Sequence, residues 1–356
     1  MINKLSIITA VLLLTSSCKT DFSVSGEHDE TPVVHFLIDP SDEYHFMKIN
    51  KTFLGDGNAN EFANVKDSSH FNKVEAVVKQ IDKNTSNVVQ EWELKDTIID
   101  NKEPGVFYNP EEKLYYFKAA NLDNSGNYIY RLEAVIEDGK HEVFGETELV
   151  EGIVINSPGT NNAFRFANSP SAEERYVNSS IRYSPGNAVA FNTRLIIKYN
   201  EVTSSGNEQK SITWNLGDVK REDFSGPNVS ALARGEAFYR FVADNIEVNP
   251  DVIRRTFTGF EIVITGGSED LNTYMTVAQP STSIAQNQPE FSNIEGGRGI
   301  FSSRLTVINI KTESDANIAR ALSTQSTREL CNGVYTIDLD FCSPLVQDNG
   351  TDFSCN

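Results

Sequence analysis

From Thr31 to Val150 the chain alternates apolar and polar residues in short runs broken by Asn, Asp, Gly and Pro. A repeat of two puts every second side chain on one face, so each run predicts a half-buried strand. The runs are Val33 to Ile38, His45 to Phe53, Val74 to Ile81, Val88 to Ile99, Lys113 to Ala119, Tyr128 to Glu137 and Glu142 to Val150. Seven strands suffice for one immunoglobulin-like or fibronectin-like sandwich. In the clearest run Tyr128, Tyr130, Leu132, Ala134 and Ile136 share one face, while Arg131, Glu133 and Glu137 take the other. Asp138-Gly139-Lys140 then closes a hairpin.

Ser157-Pro158-Gly159 and Asn161-Asn162 punctuate the chain, so a second body is expected beyond them, dividing the protein into residues 32–155 and 156–356. Ala188 to Tyr199 and Ser211 to Leu216 read as strands around the turn Ser204-Ser205-Gly206-Asn207. Between Ala231 and Glu247, Leu232, Phe238, Phe241, Val242 and Ile246 recur at helical spacing until Pro250 stops the run. Thr256 to Thr265 resumes as a strand, and Ser268 reads as a helix N-cap with Glu269 and Asp270 in the first turn. After Pro280 an irregular stretch precedes a strand at Ile300 to Lys311 and a helix starting after Ser314 or Asp315. The apolar content of this last part predicts packing on the second body. The expected fold is mainly β, with tandem immunoglobulin/fibronectin-like β-sandwich regions and a few helices added in the C-terminal half.

The first residues follow a different logic. Lys4, the apolar run Ile7 to Leu14 and the small residues Thr15, Ser16 and Ser17 read as a secretory signal over residues 1–17. That run is far shorter than the ~20 apolar residues of a transmembrane helix. Leu13-Leu14-Thr15-Ser16-Ser17-Cys18 resembles the lipobox of bacterial lipoproteins, with Thr15 where an aliphatic residue is usual. The resemblance implies cleavage before Cys18 and lipidation of its sulfur, with fatty acyl chains such as palmitate as the anchor. Each buried methylene contributes about 0.8 kcal/mol, and two or more chains hold a protein stably where one does not. Residues 18–31 then form a tether, its polar part from Lys19 to Thr31 spanning about 40 Å when fully extended.

Hydrophobic residues make up 39% of the chain and include 21 Phe and 12 Tyr, which excludes a mainly disordered protein. The net charge of −19 excludes nucleic acid as the expected partner, because basic residues stand singly or in pairs such as Arg254-Arg255 and form no patch to neutralise phosphates. Such acidity suits a solvated extracellular body. With Cys18 lipidated, Cys331, Cys342 and Cys355 remain, and an oxidising exterior permits a bridge. Cys331 with Cys342 is the expected pair, Val334 to Phe341 folding back between them; Cys342 with Cys355 is the alternative.

None of the five histidines, His28, His35, His45, His70 and His141, lies in a zinc-protease motif, and no Gly-x-Ser-x-Gly elbow or phosphate-binding Gly-Lys-Ser/Thr occurs. Asp56, Asn58, Asn60 and Asp67 fall at positions one, three, five and twelve of an EF-hand-like calcium loop, but Glu61 stands where that loop requires glycine. A surface loop is the simpler reading, and calcium is the sole cofactor raised. Tyr115-Tyr116-Phe117 and Phe238-Tyr239 suit either a sugar or peptide platform or core packing. Gly296-Gly297-Arg298-Gly299 reads as a turn that needs positive φ or close approach of another backbone. Carboxylate pairs for glycoside hydrolysis meet in space rather than in sequence, so so acidic a chain leaves that chemistry open.

Thr31-Pro32-Val33-Val34-His35-Phe36-Leu37-Ile38-Asp39-Pro40, with Met47 through Gly57, resembles a group of Bacteroidota surface lipoproteins that has no agreed activity. Ser292-Asn293-Ile294-Glu295-Gly296-Gly297-Arg298-Gly299-Ile300-Phe301 is similar to their C-terminal signature. The resemblance implies an outer-membrane location facing outward and an association with TonB-dependent import; it lends no catalytic residues. The expected function is a non-enzymatic surface lipoprotein that binds an extracellular ligand or partner, as an accessory of an outer-membrane transporter. An anchored glycan or peptide hydrolase using Asp and Glu, and a structural or adhesive module, are the alternatives.

Overall fold

A computed structural model describes residues 30–52, 61, 63–105, 108–159, 162–223, 226–278, 290–314 and 320–355. The expected signal at 1–17, the expected lipidation position Cys18 and nearly all of the expected tether lie outside the described residues. The fold is mainly β, as the alternation predicts. In the first half the strands are β1 (Pro32–Ile38), β2 (Tyr44–Lys51), β3 (Val74–Asp82), β4 (Val88–Glu93), β5 (Lys95–Ile99), β6 (Glu112–Lys118), β7 (Tyr128–Ile136) and β8 (His141–Thr147). Then follow β9 (Ile153–Ser157), β10 (Ser179–Pro185), β11 (Ala190–Thr203), β12 (Gly206–Lys220), β13 (Val229–Ala233), β14 (Val252–Gly267), β15 (Ile294–Glu295) and β16 (Arg298–Thr312). Three longer helices accompany the second half: α1 (Gly235–Asn245), α2 (Glu269–Val277) and α3 (Thr324–Asn332). Among the described residues no helix is long and apolar enough to cross a membrane.

Two predicted elements divide where the chain changes layer. Val88 to Ile99, expected as one strand, breaks at Leu94: β4 ends the sheet β15-β8-β7-β3-β4, and β5 ends the largest sheet. Trp92, just before the crossing, stacks on Phe117 of the large sheet at 5.4 Å and on Tyr130 of the facing sheet at 6.3 Å. Ala231 to Glu247, expected as one helix, begins instead as β13 paired with β10, and α1 starts only at Gly235. Leu232, counted into the helical stripe, points outward at 47% exposure.

The large sheet has the order β12-β11-β14-β16-β1-β2-β6-β5 and runs through both halves of the molecule. The fifteen-residue β16 joins them. Its first part pairs in parallel with β1, Val33 opposite Arg298 through Ile38 opposite Ser303. Its second part pairs antiparallel with β14, Gly267 opposite Arg304 through Gly259 opposite Thr312. Residues 294–303, expected on the second body, therefore complete the first, since β15 also pairs with β8. At one end the large sheet faces the five-stranded sheet over a core of Val34, Phe36, Tyr130, Leu132 and Phe301. At the other it faces β13-β10-β9 together with α1 and α3, over Phe166, Phe238, Phe260, Ile262 and Leu330.

The expected Cys331–Cys342 bridge is corrected by the structure, which joins Cys342 to Cys355 and leaves Cys331 free and buried. Cys331 lies on α3 and turns into the core. The Cys342 and Cys355 segments run side by side, Ser343 bridging Ser354 and the Cys355 amide donating to the Ser343 carbonyl at 2.9 Å.

Candidate functional site

Alternation along β2 and β6 sorts their aromatic residues onto opposite faces. His45, Met47, Tyr115 and Phe117 point inward and are buried. Tyr44, Phe46 and Tyr116 point outward, Phe46 directly opposite Tyr116 in the register. Tyr44 is 42% and Phe46 46% exposed. The three rings touch one another: Tyr44 stacks on Phe46 at 6.5 Å, Phe46 lies 5.8 Å from Tyr116, and Tyr116 lies 6.1 Å from Tyr44. An open aromatic triangle on a flat sheet face exposes apolar area that core packing does not use.

Charged groups border this triangle as neutral pairs. Lys118 sits 5.1 Å above the Tyr44 ring and bridges Glu43 at 2.7 Å. Hydrogen bonds with Glu43 and Tyr44 raise its pKa further. Lys48 bridges Glu112, and Arg304 reaches Asp39 at 3.5 Å and Asp42 at 3.9 Å. Burial and the adjacent Asp39 push the Asp42 carboxyl up. Asp39 itself is 2% exposed and well satisfied, accepting from the Ser41 amide and hydroxyl and from the Thr306 hydroxyl at 2.7 Å.

The same face carries α2. Its N-cap Ser268 accepts from the Leu271 amide and contacts the Ser302 hydroxyl at 2.6 Å, as the Ser-Glu-Asp start predicts. Farther along, Tyr274 meets His35 Nε2 at 2.8 Å. Desolvation and the neighbouring Lys48 hold the His35 imidazole below its ordinary pKa. Between α2 and the sheet opens a cleft of about 290 Å³, with Leu37, Leu271 and Met275 among its apolar walls and Asn192, Asp218 and Asn272 among its polar ones.

Other sequence candidates fall elsewhere. Asp56, Asn58 and Asn60 of the calcium loop lie outside the described residues, and Asp67 belongs to a single helical turn, Lys66–Ser69. Among the described residues no cluster of three or more His, Cys, Asp or Glu is placed to hold a metal. Tyr115 and Phe117 fill the core, as do Phe238 and Tyr239, so of the two aromatic strings only Tyr116 reaches solvent-facing company. Gly296 and Gly299 have φ of +71° and +107°, and a side chain on Gly299 would meet the Val34 carbonyl at 1.9 Å, so this string is structural. A wider cavity of about 660 Å³ over β7, β8 and β15 is lined by Glu133, Glu146 and Glu295. Glu133 is ion-paired to Lys79 and Glu146 to Arg131. The strand run predicted from His45 does not single out Tyr44 and Phe46 as a site; their i, i+2 spacing, which puts both on one strand face, carries the signal.

No family model and no curated protein matches the chain. Among solved structures the chain is similar to the C-terminal globular domain of an oligosaccharyltransferase from Pyrococcus abyssi, with 11% identity and a TM-score of 0.21, covering 67% of this chain and 48% of that one. The chain thus spans about half the length of that structure, and a likeness this slight carries no functional argument.

Proposed function

We propose that the protein is a lipid-anchored, outward-facing protein of the bacterial outer membrane that binds an extracellular ligand without transforming it. The observation that carries this reading is the Tyr44, Phe46 and Tyr116 triangle, in which Tyr44 and Phe46 stack, the half-buried Tyr116 tilts against both, and all three lie on the outer face of a sheet whose other aromatic residues fill the core. Rigid strands present it, and strand-borne sites hold their geometry better than loops. The leader and Cys18 support the anchor, and the polar stretch after Cys18 would hold the platform clear of the lipid. An outer-membrane transporter is the partner to which such a protein would pass its ligand. The likeness to Bacteroidota surface lipoproteins supports that placement.

Two experiments test this reading. Wild-type protein and Cys18→Ser are fractionated, and the wild-type N-terminal peptide is weighed by mass spectrometry. Equal membrane association of the two, with an unmodified Cys18 sulfur in the wild type, removes the anchor. Detergent-solubilised native protein is then used to capture ligands or partners; a Phe46→Ala/Tyr116→Ala variant that captures the same set removes the platform.

A further inference from the structure

We infer that the aromatic triangle and the cleft beneath α2 form one continuous track, and that its ligand is a neutral glycan chain lying across the strands. The inference rests on the platform reading and names its ligand class.

Continuity follows from register. β1 and β2 pair antiparallel, with His35 opposite Lys48 and Phe36 opposite Met47, so one step farther Leu37 comes opposite Phe46. Leu37 lies opposite Ser302 on its other side and also lines the cleft. Leu37, Phe46 and Tyr116 therefore form a row on one face, running from β6 through β2 to β1, and the cleft extends it over β16, β14, β11 and β12. Neighbouring strands lie about 4.8 Å apart, so six intervals make a track of roughly 30 Å. That is long enough for several linked rings and too long for one.

Chemistry selects the ligand. A glycan presents flat faces of C–H groups edged with hydroxyls, matching stacked rings beside polar side chains. The triangle offers the first partner; Asn192, Asp218 and Asn272 in the cleft offer the second. Charge argues for neutrality, because Lys118, Lys48 and Arg304 along the track are each matched by a carboxylate, and the cleft walls add one lysine, Lys220, and one aspartate, Asp218, which balance in sign. An extended peptide fits poorly. It gains affinity by adding main-chain hydrogen bonds at a sheet edge, and this track crosses a sheet face whose backbone groups are already paired between strands.

The test is isothermal titration of the full chain in detergent with neutral malto-, cello-, xylo- and manno-oligosaccharides of increasing length, alongside a charged uronic-acid series. The expected result is one neutral series whose affinity rises with length until the track is filled. Phe46→Ala/Tyr116→Ala should weaken every length of that series by roughly tenfold or more. Met275→Arg, at a position 57% exposed in the cleft, should spare the shortest ligand and abolish the gain with length. Thermal unfolding checks that both variants remain folded. Affinity independent of length, preference for the charged series, or no neutral series bound overturns the inference. If no glycan binds and the native protein captures a polypeptide that Phe46→Ala/Tyr116→Ala loses, the ligand class falls while the platform reading stands. If a glycan binds and the platform variant binds it equally, both fall.

Discussion

Arg255 and Glu201 form an ion pair of 2.7 Å whose side chains are 1% and 6% exposed, on the neighbouring strands β14 and β11. Arg255 also donates to the carbonyls of Leu339 at 2.8 Å and Glu247 at 2.9 Å, so one guanidinium ties the large sheet to the C-terminal segment. Burial pulls the Glu201 carboxyl up, but hydrogen bonds from Lys210 and Arg255 outweigh it and hold its pKa below the ordinary value. Glu201→Ala leaves a buried cation uncompensated. We expect a loss of about 3–5 kcal/mol in urea unfolding, far above that of an exposed pair such as Arg240 with Glu236.

Stability should weaken as pH falls from about 6.5. His45 is 2% exposed, its Nε2 lies 3.0 Å from the Ala119 carbonyl, and its buried Nδ1 has no partner among the described residues. Burial lowers its pKa, against the raising effects of the Ala119 hydrogen bond and of Asp42 and Asp39. Below about pH 6.5 the unfolded chain takes a proton that the folded His45 refuses, so the contribution present above that pH is lost as pH descends through the folded value. His35, also lowered, acts in the same direction. Urea midpoints measured across this range should decline, and His45→Leu should flatten the decline to the part owed to His35. An unchanged slope in that variant refutes the assignment.

Cys331 should resist alkylation in the native protein and react once it is unfolded. Burial pushes its thiol up to about 12, so almost no thiolate forms near neutrality. Peptide mapping should recover the Cys342–Cys355 bridge alone. Cys355→Ser opens a loop whose ends are 13 residues apart, and a loss of about 3 kcal/mol is expected from the freed unfolded chain.

Gly299→Ala should destabilise by about 2 kcal/mol or more, because its φ is unfavourable for a side chain and the added carbon collides with β1 backbone at the junction of both halves. Gly105→Ala, where a side chain meets nothing within 4 Å, is the control and should stay within about 0.5 kcal/mol of wild type. Thermal or urea unfolding reads both.

Six of the seven strands expected in the first half occur as single strands, and the seventh, Val88 to Ile99, occurs as two, because a period of two is local information and burial of one face enforces it, whereas the change of sheet at Leu94 is not local. Ser268 was legible for the same reason, a cap being satisfied within its own turn. The strands β9, β10 and β13 are not legible in the sequence: Ser179–Pro185, for one, turns only Ile181, Tyr183 and Pro185 inward, too few to mark a pattern without the strands beside it. Tyr116 was visible as an aromatic residue but ambiguous in role, since its partners Tyr44 and Phe46 lie on a strand about seventy residues earlier.

By itself the order of residues determined that the chain is strand-rich, where most first-half strands run and which of their faces is apolar, since each of these depends on neighbours a few positions away. Only the tertiary structure decided that β16 serves both halves, that Cys342 takes Cys355 rather than Cys331, and that three aromatic rings meet on one outer sheet face. Those outcomes depend on pairings between distant segments, which are selected by the packing of whole faces and leave no mark in local spacing.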